Sequence, residues 1–167
     1  MYHHWLNFFK IFSPMFEHPT KFDDAICFSR FDTEHWLSPA SPHPIELDGR
    51  NWQTAEHYYQ ANKYAGSYSE RIANCESPLL AYKLGNRWFK RKRTDFTKVR
   101  PVLMTRALYI KARTYAPLRE LLASTEGRLI AELSQFGHYW GIGRDQRGRN
   151  QLGRIWMEIR TKLEEVL

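Results

Sequence analysis

Thr54-Ala55-Glu56-His57-Tyr58-Tyr59-Gln60-Ala61-Asn62-Lys63-Tyr64-Ala65-Gly66 contains a helix start, a helix-compatible run and a stop signal. The Thr54 hydroxyl is of the type that satisfies a first-turn amide, Glu56 places a carboxylate in that turn, and glycine commonly ends helices. The pattern predicts a helix capped by Thr54 that runs through Tyr59 and Lys63 to a stop at Gly66. On such a helix Glu56 and Lys63 lie within about 20° of one azimuth, with Tyr59 and Gln60 flanking the line between them.

Upstream, Ile45 to Trp52 alternates around Asp48-Gly49, the dipeptide of a two-residue hairpin. Trp36 to Pro44 is a loop in which Pro39, Pro42 and Pro44 withhold backbone donors, and Ile26 to Phe31 has short-strand character. Residues 1–24 are crowded with aromatics, among them Tyr2, Trp5, Phe8, Phe9, Phe12 and Phe16. They read as an added helix or arm, packed on a main domain over 25–167 or on a second subunit.

Downstream, Ser77-Pro78 opens a helix that Gly85 closes in the left-handed conformation. A long helix from about Asp95 to Arg113 holds Pro101 in its first turn or is kinked by it, and Pro117 to Ser124 gives another. Arg128 to Leu133 reads as a short strand in preference to the tail of a helix. Asn150 is a candidate cap for the last helix, where Leu152, Ile155, Trp156, Ile159 and Leu163 follow the spacing of a buried stripe. The expected fold is mainly α within the α+β class: a single helical domain with a small β-hairpin and a few short strands.

At 167 residues and 19.9 kDa the chain has the size of one domain, enough to bury roughly two thirds of its unfolded surface. Hydrophobic residues at 43% and charged residues at 26% exclude a disordered or low-complexity chain. Cys27 and Cys75 lie far apart with no metal-ligand spacing, which argues against a disulfide framework or structural zinc and fits a reducing compartment. No uncharged apolar run nears the ~20 residues of a membrane span. The only candidate leader, Leu6 to Phe12, is broken by Lys10 and lacks a cleavage site, so a cytoplasmic protein is expected.

The net charge of +7 is concentrated: between Lys83 and Arg100, eight basic residues face one acid, Asp95. Such a field attracts phosphorylated ligands or nucleic acid, with Arg87, Arg91 and Lys92 as candidate electrostatic contacts; the alternative is a solvated turn between helices.

The spacing of Glu56 and Lys63 puts an amine and a carboxylate on one helical face, with the lysine reaching back over Tyr59 toward the acid. A lysine can attack a masked carbonyl such as the anomeric carbon of an N-glycoside, release the base as an imine forms, and leave that imine for water to hydrolyse. At pH 7 only roughly one part in 2,500 of a free lysine is neutral, so desolvation has to favour the uncharged amine. From spacing alone, two ordinary solvated helix residues over packed tyrosines remain the alternative.

A second group, Tyr139-Trp140-Gly141-Ile142-Gly143, precedes Arg144, Arg147, Gly148, Arg149 and Asn150 at the mouth of the last helix. Glycines admit close backbone approach, a helix start favours anions and arginine offers forked donors, a combination suited to a phosphate or sugar cradle. Trp140 either stacks on a base or ribose or plugs the fold. The histidines show no paired metal-ligand spacing, and no Walker, GxSxG or long dinucleotide fingerprint is present; neither metal nor cofactor is expected.

At these residues the chain resembles the NADAR domain, the YbiA-like N-glycosidase family. The resemblance runs from about Ile26 to Glu165. It includes Phe28-Ser29, Ser41-Pro42-His43-Pro44-Ile45 through Trp52, and Glu56-His57-Tyr58 through Gln60-Ala61 to Lys63. Farther on lie Ala107-Leu108 with Lys111-Ala112, Leu118 to Leu122, Tyr139 to Gly143, and Asn150 to Gly153 leading into Met157-Glu158-Ile159-Arg160.

The resemblance implies hydrolysis of N-glycosidic bonds in phosphoribosyl or ADP-ribosyl compounds. The family's substrates are ribosylamino-pyrimidine intermediates of riboflavin synthesis and ADP-ribose on guanine bases, the latter on nucleic acid as one option. The family lysine, credited with a Schiff base, maps onto Lys63, and its glutamate onto Glu56. Two positions depart from the pattern: Pro39 stands where the family has asparagine, and Gly137 where it often has aspartate, with His138 beside it.

The leading expectation is a metal-independent N-glycosidase with Lys63 as nucleophile and Glu56 as proton shuttle. Tyr59, Trp140, Gly141, Gly143, Arg149 and Asn150 would bind substrate. The runner-up is a non-catalytic ADP-ribose or nucleic-acid binding module, and a third reading is an RNA-binding protein using the Lys83 to Arg100 stretch. Oligomeric state is not readable.

Overall fold

The computed structural model describes residues 22–134 and 137–165. The aromatic segment expected as an arm thus lies almost entirely outside the described residues. Among them, six helices and four short strands follow in the order β1 Ile26–Phe28, β2 Ile45–Leu47, β3 Arg50–Trp52, α1 Ala55–Ala61, α2 Gly66–Ala73, α3 Pro78–Gly85, α4 Phe96–Thr114, α5 Ala116–Ala123, β4 Ile130–Glu132 and α6 Gln151–Glu164. The mainly helical α+β architecture matches the expectation.

β2 and β3 pair antiparallel, with Ile45 opposite Trp52. Asp48 at φ 56° and Gly49 at φ 71° both adopt the left-handed region, which gives the turn a twist that fits the strands. β1 and β4 pair in parallel, Ile26 with Ile130 and Phe28 with Glu132. This places the residue after β1 beside the segment after β4, although a hundred residues of chain separate them.

The core lies where α4 and α6 cross the α1 hairpin region. Leu152, Ile155, Trp156, Ile159 and Leu163 are buried, as their spacing predicts, against Leu103, Met104, Ala107 and Leu108 of α4. The Trp156 indole donates to the Leu37 carbonyl at 2.8 Å, which ties α6 to the proline-bearing loop. His57 is a satisfied core histidine, between the Thr54 hydroxyl at 2.9 Å and the Cys75 carbonyl at 3.1 Å.

Three expectations need correction. Thr54 caps α1 as predicted, but the helix ends at Ala61, and the Lys63 amide bonds to the Gln60 carbonyl at 3.3 Å in a tightened last turn. Gly66, at φ +64°, does not merely stop that helix; it begins α2, an element the sequence reading missed. Its apolar residues are too few and too scattered for periodicity to register, and only Ile72 and Ala73 are buried.

Gly85 stays within α3 instead of turning left-handed. Its small size serves packing, because a β-carbon there would collide with the Gln60 side-chain amide. Pro101 falls in the second turn of α4, beyond the first turn where a missing amide is free of consequence. Asn150 occupies the cap position of α6 as expected, at φ 50°, although its side chain makes no cap bond to the helix.

Candidate active site

Lys63 leaves the end of α1 and is only 3% exposed. Its ammonium donates to the Gly85 carbonyl at 3.2 Å and to the Asn86 side-chain oxygen at 3.0 Å. It lies 5.2 Å from the Tyr59 ring centre and 5.5 Å from that of Phe96. Burial lowers its pKa to about 7; Arg30 and Lys92 push the same way, while Glu56 opposes them.

Lys63 therefore passes over Tyr59 as expected but does not pair with Glu56. The tightened turn that ends α1 swings it toward the C-terminal end of α3, where helix carbonyls lack intrahelical donors. Glu56 is fully buried and pairs with Arg30 instead. Arg30 Nη2 donates to both carboxylate oxygens at 2.9 Å and Nε to Oε2 at 3.1 Å, while the Gln60 amide donates to Oε1 at 2.6 Å. Burial disfavours the Arg30 charge, but Glu56, Tyr59 and Glu132 together outweigh that and raise its pKa.

Tyr59 and Trp140 meet edge to face at 5.4 Å, which brings the Tyr139-Trp140 turn onto α1. The Arg30 guanidinium lies 5.2 Å from the Tyr59 ring and 5.4 Å from that of Trp140. Of the candidate residues, the structure thus brings Lys63, Tyr59, Trp140 and, through Arg30, Glu56 into one group. Lys92 is exposed above Phe96 with its charge acting on Lys63. Arg87 is exposed and extends over Phe89, and Arg91 is exposed beside it.

The glycine-rich turn is built differently from a cradle of free amides. The amides of Ile142, Gly148, Arg149, Asn150, Gln151 and Leu152 donate to carbonyls of the same segment or of Glu132. A β-carbon on Gly141 would collide with the Glu132 carboxylate, and one on Gly143 with the His138 ring. The Asn150 side chain accepts from the Glu132 amide at 3.0 Å and donates to the Ile130 carbonyl at 2.7 Å. Gly141 and Asn150 are thus engaged within the turn and with β4, and Gly143 packs against His138. Arg149 is exposed, 5.9 Å from the Tyr139 ring. His138 pairs with Asp145 at 2.9 Å on the surface.

Three residues of this group escaped sequence reasoning: Arg30, Glu132 and Asn86. The Glu132 carboxylate accepts from the Arg30 amide at 3.0 Å and the Ser134 amide at 3.2 Å. A single acid within the apolar run Leu129-Ile130-Ala131-Glu132-Leu133, and a single base just after Ile26-Cys27-Phe28, were the available signals. Among the described residues no group of His, Cys, Asp and Glu is placed to hold a metal ion, and no helix is long and apolar enough to cross a membrane. An open groove of about 450 Å³ lies between the hairpin and α4, lined by Asp48, Ile110 and Arg113 among others. No lysine lines it.

The NADAR domain model matches residues 15–164. N-glycosidase YbiA of Escherichia coli (strain K12) is 37% identical over 121 residues, which cover 72% of this chain and 76% of that one. The NMR structure of the E. coli protein YbiA has a TM-score of 0.76 at 34% identity and covers 91% of each chain. N-glycosidase Npun_R5314 of Nostoc punctiforme is 34% identical over 145 residues, 84% of this chain and 87% of that one. Riboflavin biosynthesis protein PYRR, chloroplastic, of Zea mays is 34% identical over 143 residues, 76% of this chain but 23% of that one.

Proposed function

Since the chain belongs to the NADAR domain family and is an N-glycosidase, a hydrolase of N-glycosyl compounds, we propose that it cleaves a phosphorylated ribosyl or ADP-ribosyl compound through an imine on Lys63. The observation that carries this reading is the buried amine itself. With its pKa lowered to about 7, about half of Lys63 is neutral at pH 7, against roughly one part in 2,500 of a free lysine.

The Lys63 lone pair forms a bond to the anomeric carbon as the bond from that carbon to the base nitrogen breaks. The departing nitrogen keeps the electron pair and takes a proton from the new ammonium, leaving a glycosylamine on Lys63. Its nitrogen lone pair then forms the C=N bond as the bond from the anomeric carbon to the ring oxygen breaks. That oxygen takes a proton from water, and the open-chain sugar is held as a protonated imine. Water adds to that carbon, and collapse of the adduct releases the sugar as an aldehyde and returns a proton and the lone pair to Lys63. Glu56, expected as the proton shuttle, has both oxygens held by Arg30 and Gln60 and acts on the amine through its charge, so water carries these protons. Trp140 offers a ring face to base or ribose, and Arg87, Arg91, Lys92 and Arg149 draw phosphate toward the mouth.

A relative with a riboflavin-biosynthesis name supports a ribosylamino-pyrimidine phosphate as substrate, and ADP-ribosylated guanosine is the other class to test. Incubation with each, followed by borohydride, should trap a sugar adduct on Lys63 and release the base. Base release that survives in Lys63→Ala overturns the imine route, and release from neither compound overturns the substrate class.

A further inference from the structure

Arg30 is fixed at three points. Its amide donates to Glu132 Oε1 at 3.0 Å, its carbonyl accepts from the Ser38 hydroxyl at 2.5 Å, and its guanidinium grips both oxygens of Glu56. Both ends of its backbone are thus held, and little rotamer freedom remains to the side chain. The guanidinium and the Lys63 ammonium lie against the same Tyr59 ring, each 5.2 Å from its centre. The carboxylate that would be the natural partner of a buried lysine is therefore committed to another cation, and Lys63 is left with two neutral oxygens.

We propose that Arg30 is a positioning residue for Lys63: it holds both oxygens of Glu56 away from the amine and places a second cation beside it, leaving Lys63 free as a nucleophile. The inference rests on the imine chemistry proposed above.

The groups that face Lys63 agree with this assignment. From α1 come Glu56 and Tyr59, from the loop after β1 comes Arg30, and from the loop before α4 comes Lys92. The end of α3 contributes only the neutral oxygens of Gly85 and Asn86, and α4 the Phe96 ring. After burial, Arg30 is the largest influence that favours the neutral amine, and Glu56 is the one that opposes it. A buried ion pair that served only as a clasp would hold the fold without acting on the amine.

The test reads the amine without turnover. In lysine-labelled protein, the Lys63 side-chain resonance, identified by its loss in Lys63→Met, is followed by NMR against pH. Wild type should titrate near pH 7. Glu56→Gln should titrate lower, and adding Arg30→Met to Glu56→Gln should move the midpoint back up by about one pH unit, or tenfold in the neutral fraction at a given pH.

The double variant removes both buried charges together and should fold. Glu56→Gln alone leaves the Arg30 guanidinium without its carboxylate and should melt lower than wild type, so its native NMR spectrum is established before the titration. Arg30→Lys, made in the Glu56→Gln background, should keep most of the effect. Coincident midpoints for Glu56→Gln with and without Arg30 overturn the proposal. Absence of a borohydride adduct, with the midpoints moving as expected, counts against the imine chemistry alone.

Discussion

The ammonium of Lys111 donates to the carbonyl oxygen of Ser38 at 2.8 Å, across the interface between α4 and the proline-bearing loop. The same nitrogen reaches the Trp36 carbonyl at 2.7 Å and the Ser41 hydroxyl at 2.6 Å, so its three donors meet three acceptors. That loop in turn supports the site. The Pro39 carbonyl accepts the Glu56 amide at 2.9 Å, and the Ser38 hydroxyl holds Arg30.

Replacing Lys111 by Met keeps the bulk but leaves the Trp36 carbonyl without this donor, while the Ser38 carbonyl keeps the Ser41 hydroxyl at 2.8 Å. Near pH 10, where folded and unfolded lysine differ little in proton binding, we expect a loss of about 1–2 kcal/mol in stability, which for a domain of this size lowers the melting temperature by roughly 2–8 °C. Thermal unfolding measures it, and an unchanged melting temperature would mean that solvent replaces the amine.

Burial lowers both Lys63 and Lys111 to about pKa 7, whereas an unfolded lysine holds its proton to about 10.4. Between these values the unfolded chain binds more protons than the folded one, so stability rises with pH across that window. Lys63→Met removes one of the two contributions. At pH 7 the variant should be more stable than wild type by about 1–3 kcal/mol, after the loss of the bonds to Gly85 and Asn86. Urea melts from pH 7 to 10 should show that advantage shrinking steadily; a constant difference contradicts the buried-amine argument.

The same titration governs turnover. Below about pH 7, kcat/KM should fall tenfold per pH unit as Lys63 takes up its proton, and it should level off above. Lys92 is exposed, so its contribution is screened. Lys92→Ala should move the limb upward by a few tenths of a pH unit at low salt and by nothing resolvable in molar salt. The pH–rate profile at two ionic strengths separates these outcomes.

Gly85 tests the packing behind Glu56. In Gly85→Ala the new methyl group meets the Gln60 amide, which is fully buried and bonded to the carboxylate. Overpacking at such a point costs about 1–3 kcal/mol, and displacement of Gln60 should lower kcat more than it raises KM. A variant with wild-type stability and rate would show that Gln60 has somewhere else to go.

The hairpin at Asp48-Gly49, the Thr54 and Ser77 caps and the stripe of α6 were legible because each is a local signal, complete within a dozen residues. The juxtaposition of Lys63 with Tyr59 was legible for the same reason. Arg30 and Glu132 were not, because their meaning comes from a parallel pairing of two three-residue strands that no local pattern encodes. The glycines of the 141–148 turn were legible only as an ambiguity: glycine near a helix start suits a ligand and a crowded backbone equally, and the structure shows the crowding, from Glu132 at Gly141 and from His138 at Gly143. The exit of Lys63 from the α-helical ladder depended on where α1 stops, the detail that sequence patterns specify least.

The parallel pair of β1 and β4 also bears on how the protein is made. A ribosome-bound fragment that stops short of Ile130 has no partner for β1, no carboxylate at Glu132 to receive the Arg30 amide, and no indole at Trp140 to close over Tyr59. The side of the site that Arg30 and Trp140 form is therefore the last to be assembled as the chain is made.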